Sequence, residues 1–279
     1  MALTAAPRPV GHTVWDGVSL LRSPGRAPVA VGGRLDPPTL IGAYRVGAFP
    51  WPTGADADDD AADDEAADDE AIGYRELLRA AVAARRIRHL SPRGPGGYDL
   101  PWWSPDPRAV IPAGQVRVNR SLRKRMRTCG WTSTVDAAFV EVVRGCQRDG
   151  TSGWITDELI EGYAELHALG WAHSVEVWDA DDLVGGVYGV GVGGVFAGES
   201  MFHARTDASK IALADFDARF TAAGGALLDV QMMTEHLASL GAREVPRRDY
   251  LAVLTRVRDA DVRLDRDRAP VSRLAPPAG

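Results

Sequence analysis

Apolar residues in this chain follow a helical period in some stretches and a two-residue period in others, and the switch between them outlines the fold. Residues 39–47 carry Leu40, Ile41 and Tyr44 on one side and close on Gly47, the pattern of a short helix. Residues 74–90 have helical composition with several arginines, and the Pro/Gly-rich 91–97 reads as a loop. A basic stretch, 118–127, reads as another short helix. Residues 135–147 and 157–169 read as amphipathic helices, the second with Leu159, Ile160, Tyr163 and Leu166 on one face and Thr156 placed to cap its start. From His173 to Phe202 the period drops to two, in runs 173–178, 183–192 and 195–202 separated by turns at 179–182 and Gly193-Gly194, an antiparallel meander. Residues 207–223 return to the helical period, with Asp207 as N-cap and Gly224-Gly225 as stop; 227–231 is a short strand that runs into helix-like 234–240.

The chain has 279 residues, 45% of them hydrophobic, enough for one large or two small globular domains. No apolar run is long enough to span a bilayer, and the opening residues lack the apolar core of a signal peptide, so a cytoplasmic protein without a membrane partner is expected. A monomer is expected as well. Two cysteines, Cys129 and Cys146, are too few for a disulfide framework or a zinc site and are expected to be packing residues. The net charge of −6 is unevenly spread. Ten acidic and no basic residues lie between Asp56 and Glu70, which leaves the remainder of the chain at +4 and reopens the case for a nucleic-acid partner. The acidic run itself is low-complexity and self-repelling, and is expected to be a disordered insertion.

Candidate chemistry gathers in the second half. In a strand, residues two apart project to one side, so Asp229 and Gln231 would stand together at the end of 227–231, where ligands collect in open α/β sheets. A carboxylate beside an amide suits the handling of an amine; the plainer reading is that Asp229 caps the following turn. By the same alternation, Phe196, Gly198, Ser200 and Phe202 would share one face and Ala197, Glu199 and Met201 the other. Glu199 in an apolar strand needs a partner: an arginine inside the protein, or a cationic substrate. Arg120, Arg123, Lys124, Arg125 and Arg127 suit either a solvated face or an RNA backbone. Trp154 is either a hydrophobic staple for the helix after it or a stacking platform for a base. The string Gly189-Val190-Gly191-Val192-Gly193-Gly194 matches GxGxxG, but a strand follows it where a dinucleotide site needs a helix, so it is read as a hairpin. His167, His173, His203 and His236 show no metal-binding spacing, and no metal is expected.

Several motifs in order, Phe49-Pro50-Trp51, Pro101-Trp102-Trp103-Ser104-Pro105-Asp106-Pro107-Arg108, Gly198-Glu199-Ser200-Met201-Phe202 and Asp229-Val230-Gln231, resemble the leucyl/phenylalanyl-tRNA–protein transferase family. The resemblance covers roughly residues 32–51 and 101–254. It implies an α/β (α+β) fold: a small N-terminal domain, then an acetyltransferase-like (GNAT-like) mixed, largely antiparallel sheet flanked by helices. On this reading 1–52 belong to the N-terminal domain, 53–99 are the acidic insertion with a helix at 74–90, 100–254 form the catalytic domain with 100–130 completing or linking to the N-terminal one, and 255–279 are a flexible tail. The pyrophosphate loop of ordinary acetyltransferases is absent before Asp207, so coenzyme A is not expected and no cofactor is implied.

The activity implied by the resemblance is transfer of Leu or Phe, with Met as a third candidate, from aminoacyl-tRNA to the N-terminal α-amine of proteins that begin with Arg or Lys, marking them for N-degron-dependent degradation. Carried over by position, Asp229 and Gln231 would be catalytic, orienting the amine, with Asp229 the candidate base. Glu199 would bind the acceptor's cation, and Trp154 would flank the terminal adenosine. Trp51, Val187, Phe196, Leu213, Phe220 and Leu228 would form the amino-acid pocket, and Arg120, Arg123, Lys124, Arg125 and Arg127 would meet the tRNA. Val187 stands where the family often has Met, and Val230 where Cys is usual; the first is expected to widen the pocket by a methylene or two, worth about 1–3 kcal/mol. Two other classes fit parts of the sequence: an acyl-CoA or small-molecule N-acyltransferase, and a non-catalytic RNA-binding module.

Overall fold

The computed structural model describes residues 2–51, 64–90, 98–147 and 154–275, the side chains of 64–72 excepted. In chain order its elements are β1 (Ala30–Val31), α1 (Pro37–Val46), β2 (Phe49–Pro50), α2 (Asp64–Ala83), β3 (Arg88–His89), β4 (Pro101–Trp103), β5 (Arg108–Pro112), α3 (Arg120–Thr128), β6 (Thr132–Val135), α4 (Phe139–Cys146), α5 (Asp157–Ala168), β7 (Ala172–Asp179), β8 (Asp182–Val192), β9 (Val195–His203), α6 (Ala208–Ala222), β10 (Leu227–Gln231), α7 (Glu235–Ser239), β11 (Arg243–Val245), α8 (Arg247–Val257) and β12 (Ala269–Pro270), followed by a 3-10 turn, Val271–Leu274.

Eight strands form a mixed sheet in the order β11-β5-β10-β9-β8-β7-β6-β12, antiparallel throughout except for the β9/β10 pair. The meander is β7, β8 and β9, and Gly193-Gly194 is its second turn, as the alternation predicts. A small four-stranded sheet, β2-β4-β1-β3, holds the N-terminal part. The chain passes from that sheet to the large one between Trp103 and Arg108. Alternation along β8 sends Tyr188, Val190 and Val192 into one core cluster, shared with Leu40, Val142 and Leu159, and Val187 into another, shared with Met126, Phe196 and Phe216. Helices α1, α4, α5 and α8 cover the first face of the sheet, and α3 and α6 the second.

Local signals set the helix starts. Asp36 accepts from Thr39 N at 3.0 Å ahead of Pro37, and Thr156 accepts from Leu159 N at 3.2 Å. Gly162 lets α5 approach closely, because a Cβ there would lie 2.4 Å from the carbonyl oxygen of Leu35.

Several expectations need correction. The helix expected at 135–147 starts at Phe139, because Thr132–Val135 pair with β7 as an inner strand. The helix expected at 74–90 runs instead from Asp64 to Ala83 and is followed by β3, so part of the acidic run, 64–70, is helical; 56–63 and the loop 91–97 lie outside the described residues. Asp207 sits at the N-cap of α6 with a left-handed φ of 72° but makes no capping hydrogen bond. The stretch after Leu254, expected to be a flexible tail, is packed: Leu264, Val271 and Ala275 are buried, β12 pairs with β6, and Arg219 holds the carbonyls of Asp265 and Asp267 at 2.6 and 3.0 Å. Its anchors are widely spaced among charges, which hides them from a periodicity search. Among the described residues no helix is long and apolar enough to cross a membrane.

Candidate active site

The parallel pairing of β9 and β10 stops at Asp229↔Ala197, although β9 continues to His203 and β10 to Gln231. Each strand carries an irregularity just past that point. In β9 the register against β8 passes from Gly189↔Gly198 to Tyr188↔Ser200, which leaves Glu199 as the extra residue. In β10 the register against β5 passes from Asp229↔Val110 to Gln231↔Ala109, leaving Val230 extra, and Gln231 takes a φ of +64°. A bulge breaks the period of two. Phe202 therefore packs with the core face opposite that of Phe196, contrary to the shared face expected of them, and Asp229 and Gln231 no longer form a side-by-side pair.

Asp229 is fully buried and its carboxylate is saturated. Arg108 donates to it twice, Nε to Oδ1 at 2.7 Å and Nη2 to Oδ2 at 2.6 Å, Tyr250 Oη donates to Oδ2 at 2.8 Å, and the backbone N–H of Gln231 donates to Oδ1 at 3.0 Å. Arg108 is itself buried, with its guanidinium 4.8 Å from the Phe49 ring centroid and 4.7 Å from that of Tyr250, and it donates to the Gly47 carbonyl at 3.3 Å. Burial works against the charge on this guanidinium, but the Asp229 carboxylate outweighs it and holds Arg108 protonated, and the buried pair is fully hydrogen-bonded. Asp229 thus fixes the backbone of Gln231 and is not open to solvent.

Glu199 is half-buried and held from two sides: Gln231 Nε2 donates to Oε1 at 2.8 Å, and Tyr163 Oη to Oε2 at 2.8 Å. Tyr163 Oη lies 2.5 Å from Tyr44 Oη. An ionised carboxylate only accepts, so Tyr163 spends its proton on Glu199 and Tyr44 donates to Tyr163. Burial pushes the Glu199 carboxyl up to about 7; the hydroxyls of Tyr163 and Tyr44 pull against that shift, Asp229 adds to it and Arg108 opposes it. None of the described ion pairs involves Glu199, which removes the reading of an internal salt bridge with an arginine.

Where the two strands part, a cavity of about 620 Å³ opens. Glu199 and Gln231 line it, together with Trp51, Val187, Leu213, Met201 and Val230. Three of the six residues expected in the amino-acid pocket are therefore on its wall. Phe196, Phe220 and Leu228 are not; they lie in the core cluster that also holds Val187 and Leu213, where Phe196 packs against Phe216 at 3.9 Å and against Phe220 at 6.3 Å between ring centroids. Trp154 stacks on Trp51, with centroids 5.9 Å apart and planes 16° from parallel, and so borders the cavity through it. Helix α3 exposes Arg120, Arg123, Lys124, Arg125 and Arg127 and buries Leu122 and Met126, and its residues do not line the cavity.

Arg108, Tyr250, Tyr44 and Tyr163 are the residues that sequence reasoning missed. The tyrosines sit at helical spacing on apolar faces, where a phenol counts as a hydrophobe, and only the spacing of helices in space shows that their hydroxyls meet a carboxylate. An arginine inside the short run Arg108-Ala109-Val110-Ile111 is the signal that could have found the pair, since an arginine in a strand otherwise bound for the core needs a buried acid. Among the described residues no group of three or more His, Cys, Asp or Glu side chains is placed to hold a metal ion.

Residues 110–255, which carry β10, most of the cavity wall and the Asp229 socket apart from Arg108, match the family model described as leucyl/phenylalanyl-tRNA protein transferase. The chain is 38% identical over 240 residues to the leucyl/phenylalanyl-tRNA–protein transferase of Shewanella piezotolerans, covering 85% of this chain and 84% of that one. It is 41% identical over 229 residues to the protein of the same description from Thiobacillus denitrificans, covering 81% and 82%, and 40% identical over 228 residues to that of Proteus mirabilis, covering 82% and 81%. Identity at this level over more than four-fifths of both partners, with Trp51, Glu199, Val230 and Gln231 of the motifs lining one cavity, means that this chain belongs to the leucyl/phenylalanyl-tRNA–protein transferase family.

Proposed function

We propose that the protein moves Leu or Phe from aminoacyl-tRNA to the N-terminal α-amine of proteins that begin with Arg or Lys, a step that marks them for degradation. The family membership supports aminoacyl transfer from tRNA to protein, and one observation supports the choice of acceptor: Glu199, a carboxylate that forms no ion pair among the described residues, stands on the cavity wall beside the apolar Val187, Leu213 and Met201. A positively charged N-terminal residue is the partner it lacks.

The donor's Leu or Phe side chain lies against Val187, Leu213 and Met201, with Phe196, Phe220 and Leu228 as the packing behind that wall. The Trp51/Trp154 stack offers a face to the terminal adenosine. Gln231 has Nε2 committed to Glu199, so its amide oxygen is the acceptor that orients an N–H of the attacking amine. The amine attacks the ester carbonyl, the bond to the ribose oxygen breaks, and the proton released from nitrogen ends on the ribose hydroxyl. Asp229 sets the position of Gln231 through its backbone, and with all its hydrogen bonds made it serves as a fixed anion in place of the expected base. Orientation of an activated ester against an amine supplies much of the rate, since well-placed reactants gain ~7–11 kcal/mol. Helix α3 meets tRNA phosphates away from the cavity.

The test is transfer of labelled Leu from charged tRNA to peptides that differ only in their first residue. Arg- and Lys-starting peptides are labelled and a Gly-starting one is not; equal labelling of all three contradicts the assigned role of Glu199.

A further inference from the structure

The cavity wall has a second polar region that the transfer step leaves unused. His203 from the end of β9, Ser209 and Lys210 from the first turn of α6, and His236 from α7 all line it. These basic groups are near enough to act on one another: His236 is held below its ordinary range by burial, and further by the charges of Lys210 and His203. The start of α6, a helix of 15 residues, lacks a side-chain cap, because Asp207 takes a left-handed φ and accepts instead from Lys210 Nζ at 3.3 Å. The Ala208 amide is taken by the Arg205 carbonyl at 3.1 Å, while the next amides of the first turn, and the positive end of the dipole, have no acceptor from the N-cap side chain. Ser209 is only 6% exposed, it lines the cavity, and its hydroxyl has no hydrogen-bond partner among the described residues. Donors and cations outnumber acceptors here, with the Asp207 carboxylate already shared with Lys210.

We infer that this rim is a phosphodiester subsite, holding the phosphate that joins the donor's terminal adenosine to the nucleotide before it. The inference rests on the reading that the cavity takes the aminoacyl-adenosine end of the tRNA. The aminoacyl ester is on the terminal ribose, and the 5′ oxygen of the same sugar carries this phosphate, so the anion lies one sugar from the reacting carbonyl. A volume of about 620 Å³ is within the ~300–1,000 Å³ of small-ligand sites and has room for more than one amino-acid side chain. A lysine, a serine hydroxyl and uncapped amides at a helix start are the groups that recognise a phosphate oxygen. Placing the phosphate at the rim also fixes the reach of the acyl group into the apolar end.

The experiment compares two donors on an Arg-starting peptide: the leucyl ester of adenosine, which has no phosphate, and the leucyl ester of cytidylyl-(3′→5′)-adenosine, which has one. The wild-type protein is expected to prefer the dinucleotide in kcat/KM by on the order of 10- to 100-fold, mostly through KM, the range for hydrogen bonds to a charged group. Lys210→Gln is expected to cut that preference about tenfold, Ser209→Ala to cut it by less, and Lys210→Arg to keep most of it. A Lys210→Gln protein with the full wild-type preference, or with an equal loss on both donors, overturns the subsite. Inorganic phosphate separates the sources: if it inhibits both donors alike and the wild type shows no dinucleotide preference, the rim is a site for free phosphate and the assignment to the tRNA end is overturned. A wild-type protein that transfers from neither ester contradicts the reading of the cavity itself, and the subsite falls with it.

Discussion

Arg108 holds Asp229 through both carboxylate oxygens, at 2.7 and 2.6 Å, with both residues sealed from solvent. Removing one partner of such a pair strands a buried charge, which costs about 3–5 kcal/mol. Asp229→Ala is therefore expected to melt far earlier than the wild type, as well as losing transfer. The double variant Arg108→Met/Asp229→Leu removes both charges and is expected to recover much of the lost stability while transfer stays low, because the hydrogen bond to the Gln231 backbone is not restored. Thermal melting beside single-turnover transfer checks this; a double variant as unstable as Asp229→Ala contradicts it.

Gln231 stands on the cavity wall, where its side-chain amide donates to Glu199. Gln231→Ala is expected to keep a melting temperature near that of the wild type and to lose on the order of 10²-fold in transfer rate, the scale of misplacing a nucleophile by about 1 Å. Binding of aminoacyl-tRNA should change little. A folded Gln231→Ala protein with normal single-turnover rates would remove the amide from the mechanism.

The pH response follows from Glu199. Its carboxyl is raised from an ordinary 4.5 to about 7, first by burial, so the folded protein binds this proton more tightly than the unfolded chain does. The stability that it contributes is complete below about 4.5 and is lost as pH rises through about 7. Acceptor binding runs the other way, since only the ionised form attracts a cation, and kcat/KM for an Arg-starting peptide is expected to rise with pH through about 7. The acceptor's own α-amine also titrates, near ~8, and contributes to any profile. Glu199→Gln keeps that second contribution and loses the first, so subtracting the two profiles isolates Glu199. Coincident profiles for the two proteins would show that Glu199 does not gate acceptor binding.

Helix α3 presents five exposed cations away from the cavity. Changing Arg120, Arg123 and Arg127 to Gln is expected to weaken tRNA binding at low salt and to flatten its salt dependence, by roughly 0.7 in the log–log slope for each phosphate no longer neutralised, with the peptide KM unchanged. Affinity measured across a salt series decides it, and an unaltered slope would return α3 to being a solvated face.

Much of this architecture is legible in the chain, where the information is local. The meander, its Gly193-Gly194 turn, the Thr156 cap and the packing of Leu159 and Leu166 all follow from periodicity within a few residues. Trp51, Val187, Leu213, Glu199 and Gln231 are reached through motif positions, and all five line the cavity. What stays hidden depends on distance in sequence or on broken periodicity. The partners Arg108 and Asp229 are 121 residues apart, and Tyr44 and Tyr163 are 119 apart, so neither pair leaves a local trace. The bulges at Glu199 and Val230 shift every side chain beyond them by one, and no alternation rule foresees an extra residue. Asp229 reads as a base in the sequence because the arginine that seals it lies far along the chain.

Glu199 as the receptor for a cationic acceptor is the centre of this account, and one measurement tests it most directly: the transfer of labelled Leu from charged tRNA to an Arg-starting peptide, by wild-type and Glu199→Gln proteins of equal stability and equal affinity for the charged tRNA. The wild type is expected to label the peptide, and to stop doing so when RNase has destroyed the donor. Glu199→Gln is expected to bind the donor as before and to lose on the order of 10- to 100-fold in kcat/KM for the peptide, the range for a charged hydrogen bond removed. Unchanged peptide kcat/KM in the variant, or labelling that survives RNase, would contradict the account.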